Sequence, residues 1–452
     1  MKSTSLRLEQ LYPRVEYTSL QSDATTDTVV IGGGIAGCIT AWCLLRETSQ
    51  QIMLLDGGKI ARGATWHNAW QATTYLEKRI ASLVEKYGLE KTLTAQRDMF
   101  HSLSHLEECV ARMSNMHNIH VSLVMTQELC WLRTTDEVMN ALEMVALFQA
   151  NHIDIECLIL DAHRVQAHPI DARFSECYSI VDTQRIQTLL QTTDEGFVGV
   201  EVRPVGLVNS ALLCESLVLC MLLSYSDRFA VFEHTLVDAI HILPQWVSVM
   251  VHDGYAVQAT DVVVCTNGFQ QLPIVHADSR DMTPVIQWVI GYMNGYHIAH
   301  QIPSHAYTYS EATSHTTNFW APPYWYVTSR PHPDNGSLIC VGGEETHIDS
   351  LLQYNPNMEC PATVVAHTND FLKKTFIPTK GQTPLEHYQW HWLLWYTASG
   401  IRMIWAHPHH AHIRYNLGCN GIGILPSIHG AYTIASRMSG ATPVPSIFDV
   451  QL

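Results

Sequence analysis

Positive charge is scarce in this 452-residue chain, in which 26 Lys and Arg residues stand against 42 Asp and Glu residues. The formal net charge is −16, and charged residues of either sign make up 15% of the chain, below the usual share of about 25%. A negative chain repels phosphate backbones. The composition therefore argues against a nucleic-acid-binding protein.

Long apolar runs are also missing, although hydrophobic residues make up 47% of the chain. No run reaches the roughly 18 to 20 residues that a membrane-spanning helix needs, and the first residues, MKSTSLRLEQLYPRVEYTSLQSD, contain no apolar segment typical of a secretory signal. The twelve cysteines include no Cys-x-x-Cys pair. We therefore expect a globular cytoplasmic protein without a transmembrane segment, with reduced and buried thiols.

The first motif lies in residues 27–46, DTVVIGGGIAGCITAWCLLR, where β-branched residues lead through glycines into an apolar stretch of helical length. This pattern predicts a strand, a turn and a helix. Gly32, Gly34 and Gly37 fit G-x-G-x-x-G, which places a dinucleotide pyrophosphate at the N-terminus of the helix. The next apolar run ends in Asp56, at a spacing that suits an acid binding a ribose hydroxyl. The motif alone does not choose between FAD and NAD.

Three later segments are similar to parts of known flavoenzymes. Residues 61–77, ARGATWHNAWQATTYLE, follow the second predicted strand, where amine and amino-acid flavin oxidases have a loop near the flavin. Residues 261–269, DVVVCTNGF, and residues 415–430, YNLGCNGIGILPSIHG, look like two strand-and-turn segments that those enzymes place against the cofactor. Over most of its length the chain resembles the superfamily of D-amino-acid oxidase, glycine oxidase and sarcosine/dimethylglycine dehydrogenase.

This resemblance implies an α/β fold, in which a Rossmann-like FAD-binding domain carries an inserted antiparallel-sheet substrate domain. The glycines of the last segment have a physical role as well, because they let backbone approach a planar ring at the positive end of a helix. The resemblance implies FAD as the cofactor. The residues expected to contact it are Gly32, Gly33, Gly34, Ile35, Ala36, Gly37, Asp56, Gly63, Ala64, Thr65, His67, Asn68, Thr266, Asn267, Gly268, Gly421, Ile422 and Gly423.

The order of these segments predicts the domain organisation. After an N-terminal extension at residues 1–24, residues 25–90, 200–285 and 385–452 would form a discontinuous FAD-binding domain. Residues 91–199 and 286–384 would form the substrate domain over the flavin. Within it, residues 95–113 read as an amphipathic helix, and strands at 324–330 and 337–342 flank a hairpin turn, PHPDNG.

His67 lies in GATWHNA, which resembles the loop that carries a histidyl-FAD bond in dimethylglycine and sarcosine dehydrogenases. Non-covalent relatives also have His-Asn-Ala there, so we expect non-covalent FAD and keep a bond to His67 as the alternative. Superfamily members hold substrate carboxylates with arginine, assisted by tyrosine. The candidates are Arg330, Arg402, Tyr326 and the neighbouring Tyr324, with structural pairing or aromatic packing as the alternative roles.

A metal site is not expected. The histidines at positions 407, 409, 410 and 412 crowd into six residues and cannot all converge on one ion, so we predict a solvated loop. His101 and His105 form an H-x-x-x-H pair that lacks the glutamate of a zinc-protease motif.

Tryptophan is abundant and glycine sparse, with 12 and 25 residues. Trp66, Trp70, Trp392, Trp395 and Trp405 stand where the superfamily usually has glycine, and an indole there is expected to clash with the flavin or displace it. One hypothesis is that the gene reads UGA as glycine, so that the natural residues are glycines. The alternative is a diverged protein with a partly filled cofactor pocket.

The function expected from the resemblance is FAD-dependent oxidation of a small amine or amino acid by hydride transfer to flavin N5. The first alternative is a flavoprotein acting on a hydroxy acid. The second is a non-catalytic homologue whose flavin pocket is blocked by tryptophan. The expected partner is therefore a small-molecule substrate.

Overall fold

The computed structural model describes residues 16–449 except 77, 269–270, 277–278, 283–286, 311–323, 333–334, 377, 379–383 and 443. Most of the predicted N-terminal extension, two residues of the PHPDNG turn and the last residue of DVVVCTNGF lie outside the described residues.

Two sheets of ten strands each organise the described part of the chain. In chain order the strands are β1 (Ala24–Ile31), β2 (Ile52–Leu55), β3 (Gln71–Thr73), β4 (Leu123–Leu132), β5 (Leu158–Asp161), β6 (Tyr178–Val181), β7 (Gly199–Val208), β8 (Phe229–Phe232), β9 (Val237–Ile242), β10 (Val247–Val251), β11 (Ala256–Val264), β12 (Pro273–His276), β13 (Ser279–Met282), β14 (Gln287–Ile298), β15 (Ala306–Ser310), β16 (Tyr324–Pro331), β17 (Ser337–Ile348), β18 (Glu386–Tyr396), β19 (Met403–His407) and β20 (His410–Leu417).

The α-helices are α1 (Ile35–Glu47), α2 (Ala64–His67), α3 (Ile80–Tyr87), α4 (Leu89–His117), α5 (Thr135–Ala150), α6 (Ala162–Ala167), α7 (Thr183–Leu190), α8 (Ser210–Ser224), α9 (Ala362–Thr375) and α10 (Ile424–Met438). Short 3₁₀ helices span Ala172–Phe174, Leu351–Gln353 and Ile447–Asp449. Across the described ranges, no helix is both long enough and apolar enough to cross a membrane.

The first sheet has a parallel core. Strand β11 pairs in parallel with β1 and β20, and β2 pairs in parallel with β1 and β8. Strands β9 and β10 extend this core as an antiparallel meander from β11. The parallel strands, with α1 following β1, form the predicted Rossmann-like unit.

The second sheet is mostly antiparallel, in the order β18-β14-β17-β16-β15-β4-β7-β5-β6, with β3 beside β7. Strands β16 and β17 form the predicted hairpin, and α4 contains the predicted amphipathic helix. The predicted α/β class, with a Rossmann-like unit and an antiparallel sheet, is confirmed. Strands β7 and β18 belong to the second sheet, however, so residues 200–285 and 385–452 each contribute to both sheets rather than to the FAD-binding unit alone.

The layers follow from apolar side chains on both faces of the parallel strands. In β1, Val30 packs in a cluster with residues of α1, α4, α8 and α10. Its neighbours Val29 and Ile31 point the other way and join a cluster with residues of β14 and β18. The parallel core therefore lies between a layer of helices and the second sheet. All twelve cysteines are free thiols, and ten of them are buried.

Candidate active site

Three turns meet at the carboxyl edge of the parallel strands. They follow β1, β11 and β20, and each contains one of the glycine-bearing motifs of the sequence. Open α/β sheets bind ligands outside the carboxyl ends of their strands. The site is therefore at the expected edge of the first sheet.

The turn between β1 and α1 depends on its glycines. Gly32 has φ of +104°, and a Cβ on Gly37 would lie 1.8 Å from the carbonyl oxygen of Gly32. Only glycine lets α1 pack so closely on the end of β1. The Asp56 carboxylate supports the turn, because it accepts hydrogen bonds from the backbone N–H groups of Gly33 at 2.7 Å and Gly58 at 2.8 Å.

The loop after β2 is tied to this turn. The Thr65 hydroxyl accepts a hydrogen bond from the Ile35 N–H at 2.9 Å, in the first turn of α1. The Asn68 amide donates to the Ser210 hydroxyl at 2.8 Å. His67 is the last residue of the short helix α2, and its Nδ1 lies 3.0 Å from the carbonyl oxygen of Gly63, which precedes that helix.

The turn after β20 is fixed by side chains from two other segments. Asn267 Oδ1, after β11, accepts a hydrogen bond from the Cys419 N–H at 3.1 Å. Arg402 donates through Nε to Asn416 Oδ1 at 2.6 Å and through Nη2 to the Asn416 carbonyl at 2.8 Å. Its Nη1 lies 3.3 Å from the Gly418 carbonyl oxygen. Burial lowers the pKa of Arg402 to about 10. All three guanidinium nitrogens thus hold the start of this turn.

One cavity of about 1100 Å³ connects the three turns with the second sheet. Its walls include most of the sequence-predicted site residues, namely Gly32, Gly34, Ile35, Ala36, Asp56, Gly63, Ala64, Thr65, Asn68, Thr266, Asn267, Tyr324, Tyr326, Arg402, Gly421, Ile422 and Gly423. Five others do not line it: Gly33, Gly37, His67, Gly268 and Arg330. The Arg330 guanidinium lies over the Trp70 ring instead, 3.6 Å from the ring centroid.

The wall formed by the second sheet carries a carboxylate that the sequence analysis missed. Glu345, on β17, lines the cavity with Tyr324 and Tyr326 of β16 and Tyr396 of β18. Burial raises the pKa of Glu345 to about 7, although hydrogen bonds from Tyr324 and Tyr396 oppose the shift. The sequence feature that could have pointed to Glu345 is a charged pair, Glu344 and Glu345, within a strand whose preceding residues are apolar.

The sequence analysis also missed basic side chains near the β1–α1 turn. Lys59, Arg62, Lys78 and Arg79 line the cavity together with the first turn of α1. The Arg62 guanidinium stacks on Trp66, 3.6 Å from the ring centroid. These cations and the positive end of α1 make this region suited to an anion.

The five unusual tryptophans leave the cavity open. Trp392 lines it, whereas Trp66, Trp70, Trp395 and Trp405 do not. Trp66 and Trp70 are buried in the two apolar clusters, and Trp395 packs so closely on Gly268 that a Cβ there would lie 1.6 Å from the indole. Of the five, Trp392 is therefore the one on the cavity wall.

The histidine-rich segment forms the tip of the β19–β20 hairpin. The rings of His407 and His410 stack with their centroids 4.9 Å apart, and His407 Nε2 lies 3.9 Å from an Asp281 oxygen. Among the residues that the structure describes, no group of three or more His, Cys, Asp or Glu side chains is arranged to hold a metal ion.

The family model described as FAD dependent oxidoreductase matches residues 27–437. This chain belongs to that family. The resemblance inferred from the sequence is confirmed, and FAD is the cofactor on which the family depends. No curated protein matches the chain in sequence.

Solved structures share the fold at low sequence identity. Glycine oxidase from Geobacillus kaustophilus matches with a TM-score of 0.66 and 14% identity, covering 93% of this chain and 96% of that one. L-proline dehydrogenase from P. horikoshii matches with a TM-score of 0.65 and 14% identity, over 94% and 96% of the two chains. L-amino acid deaminase from Proteus vulgaris matches with a TM-score of 0.66 and 14% identity, over 96% and 98%.

The cavity residues fit FAD. The volume is enough for a dinucleotide, and backbone around Gly34 lies open to the cavity, with only the Thr65 hydroxyl within 4 Å of a Cβ placed there. The Thr266 hydroxyl, further along the wall, is buried and has no hydrogen-bond partner in the described structure. A buried hydroxyl of this kind is normally satisfied by a ligand or by water.

Proposed function

We propose that this chain oxidises a small amine or amino acid by hydride transfer from a substrate carbon to FAD. The observation that carries the proposal is the continuity of the cavity. It runs from the β1–α1 turn of the first sheet, where a dinucleotide is expected, to a wall of tyrosines and a carboxylate on the second sheet. A substrate on that wall would share one cavity with the cofactor.

In this proposal the β1–α1 turn and the basic side chains around it hold the pyrophosphate, and Asp56 holds the adenosine ribose. The N–H groups in the first turn of α1 have no acceptor within the helix. The Ile35 N–H is bound to the Thr65 hydroxyl, so in this proposal the N–H groups that follow it bind the anion. The glycine turn at residues 418–423 and the N-terminus of α10 face the flavin ring. FAD, when bound, supplies a two-electron acceptor beside the substrate.

The chain's own residues would bind and orient the substrate. Tyr324 and Tyr326 offer hydroxyls from β16, and Arg402 lines the same cavity although its nitrogens are already engaged. Because Arg330 does not line the cavity, we favour Arg402 over Arg330 for contact with a substrate carboxylate. Orientation of the reacting C–H bond, rather than a dedicated acid or base, is the main contribution that hydride transfer requires.

A substrate panel tests the proposal. The purified protein, loaded with FAD, is incubated with small primary and secondary amines, α-amino acids and the matched α-hydroxy acids. Peroxide formation and reduction of an artificial electron acceptor are both measured. The two readouts detect reoxidation of the flavin by molecular oxygen and by another acceptor. We expect turnover with an amine or amino acid. Turnover with hydroxy acids alone would favour the first alternative, and no bound flavin would favour the non-catalytic alternative.

We infer that the protein acts in the cytoplasm on a small molecule. The support is that all twelve cysteines are free, as is usual in reducing compartments. The net charge of −16 opposes binding to nucleic acid.

A further inference from the structure

The partly buried carboxylate of Glu345 faces the cavity, and no cation lies beside it among the residues that the structure describes. Glu345 Oε1 lies 3.3 Å from the Tyr324 hydroxyl and 3.3 Å from the Tyr396 hydroxyl, and both hydroxyls donate to it. No residue in the described ranges forms an ion pair with Glu345 or donates a hydrogen bond to its Oε2. One oxygen is thus held in place, and the other is available to a ligand.

The adjacent glutamate has a different environment. Glu344 is not on the cavity wall, and its Oε1 lies 2.7 Å from Nδ1 of His367, on α9. Successive side chains of a strand point to opposite faces. The Glu344–Glu345 pair therefore places one carboxylate against His367, outside the cavity, and the other on the cavity wall.

A buried carboxylate that lacks a cation is unfavourable in the free protein, and a positively charged ligand removes that penalty. The tyrosine hydroxyls are weak donors compared with an ammonium group, whose hydrogen bonds to a carboxylate are charge-assisted. An uncharged alcohol cannot provide the same compensation. On this argument the wall around Glu345 would favour an amine over a hydroxyl group.

We propose that Glu345 binds the amine nitrogen of the substrate through Oε2 and accepts a proton from it, with Tyr324 and Tyr396 as positioning residues. This inference rests on the proposed amine oxidation and assigns its specificity. In the proton step, one N–H bond of the ammonium breaks, and its electron pair stays on nitrogen as a lone pair. The proton forms an O–H bond to Glu345, leaving a neutral amine and a neutral carboxyl group.

The step suits the reaction because a neutral amine, with its lone pair, stabilises the positive charge that develops when hydride leaves the adjacent carbon. Burial raises the pKa of Glu345 to about 7, which makes its carboxylate a better proton acceptor than an exposed glutamate. Tyr326 on β16 and His347, two residues further along β17, are further titratable groups on the described part of the same cavity wall. Burial and the Glu345 charge raise the pKa of Tyr326, so this tyrosine stays neutral.

Binding is tested with amines that have no hydrogen on the carbon next to nitrogen and are not oxidised there. The probes are 2-aminoisobutyrate and tert-butylamine, with 2-hydroxyisobutyrate and tert-butanol as their hydroxyl counterparts. Isothermal titration calorimetry with the FAD-loaded protein measures Kd. We expect the wild type to prefer the amine in at least one pair. Glu345→Gln should weaken that amine about 10- to 100-fold, the effect of losing a charge-assisted hydrogen bond, without changing the Kd of the alcohol.

Glu344→Gln is the matched control, because it makes the same change one residue away and off the cavity wall. It should bind every probe as the wild type does, and both variants should retain FAD. Amine affinity of the wild type should fall below pH about 7, as Glu345 becomes protonated, and this dependence should disappear in Glu345→Gln. The hydrogen bond from Tyr396 lowers the pKa of Glu345. Its loss in Tyr396→Phe should therefore raise that pKa and move the fall in amine affinity to higher pH.

The results separate this inference from the proposed function. Equal amine binding by wild type and Glu345→Gln, or no amine preference in the wild type, overturns the role of Glu345. If the wild type prefers amines through Glu345 but oxidises none in the substrate panel, the inference stands and the proposed reaction fails. Amine turnover that is unchanged in Glu345→Gln supports the reaction and overturns the inference.

Discussion

At the scale of the residue, Trp70 has a backbone conformation that rarely carries a large side chain. Its φ is +68° and its side chain is fully buried. The left-handed region costs a non-glycine residue about 1 to 2 kcal/mol, whereas glycine adopts it freely. This torsion supports the hypothesis that glycine is the natural residue at position 70.

The first prediction compares two buried tryptophans. Trp131, in β4, is buried between Phe197 and Tyr309 and has no positive φ. Trp131→Gly should lower the free energy of unfolding by about 3 to 5 kcal/mol, as is usual when a large core side chain is removed. Trp70→Gly should lower it by about 1 to 2 kcal/mol less than that, because glycine relieves the left-handed torsion and offsets part of the loss of the buried indole. Urea denaturation measures both, and a comparable loss in the two variants would contradict the glycine hypothesis, as would UGG codons at the five positions.

A second prediction at this scale concerns His67. Its Nδ1 is within hydrogen-bond distance of the Gly63 carbonyl oxygen, and the residue does not line the cavity. We therefore expect FAD to be bound without a covalent link. Acid precipitation should release the yellow colour into the supernatant, in the wild type and in His67→Ala alike. Colour that stays in the wild-type pellet but not in the pellet of His67→Ala would show a histidyl bond.

At the scale of the element, a change in the side chains that support the β1–α1 turn should alter how tightly the protein holds FAD. Asp56→Ala removes an acceptor from the N–H groups of Gly33 and Gly58 and a candidate partner for a ribose hydroxyl. We expect the Kd for FAD to rise about 10- to 100-fold, from a loss of about 1.5 to 3 kcal/mol. Flavin absorbance after dialysis gives the retained fraction. Asp27→Ala is the control, since Asp27 accepts a hydrogen bond from the Gln51 N–H away from the cavity.

The same turn explains why part of the site was predictable. Gly32, Gly37 and Asp56 belong to a strand, turn, helix and strand that follow one another directly. Their spacing along the sequence therefore predicts how they are arranged in space. Glu345 and Tyr396 are 51 positions apart and meet because β17 and β18 both pair with β14. That pairing is a long-range property. The strand predicted at 337–342 ended before Glu345 and gave no sign of which strand would lie beside it. For the same reason the sequence did not show that β7 and β18 enter the second sheet.

At the scale of the whole molecule, the cavity lies where the two sheets approach each other. The apolar cluster between them contains Val29 and Ile31 of the first sheet and Leu393 and Trp395 of the second. A ligand that occupies the cavity along its length therefore contacts elements from both sheets, and these are together only in the native fold. Binding of this kind stabilises the native state by mass action.

The last prediction follows from this placement. FAD added to flavin-free protein at 100 times its Kd should contribute about 2.7 kcal/mol to the stability and raise Tm in differential scanning calorimetry. ADP, which resembles only the end of FAD expected at Asp56 and the β1–α1 turn, contacts one sheet and should bind more weakly. At the same concentration it should therefore raise Tm by less than FAD does. Equal shifts for ADP and FAD would mean that the flavin half gains nothing from the second sheet, and the cavity would then not hold the cofactor along its length.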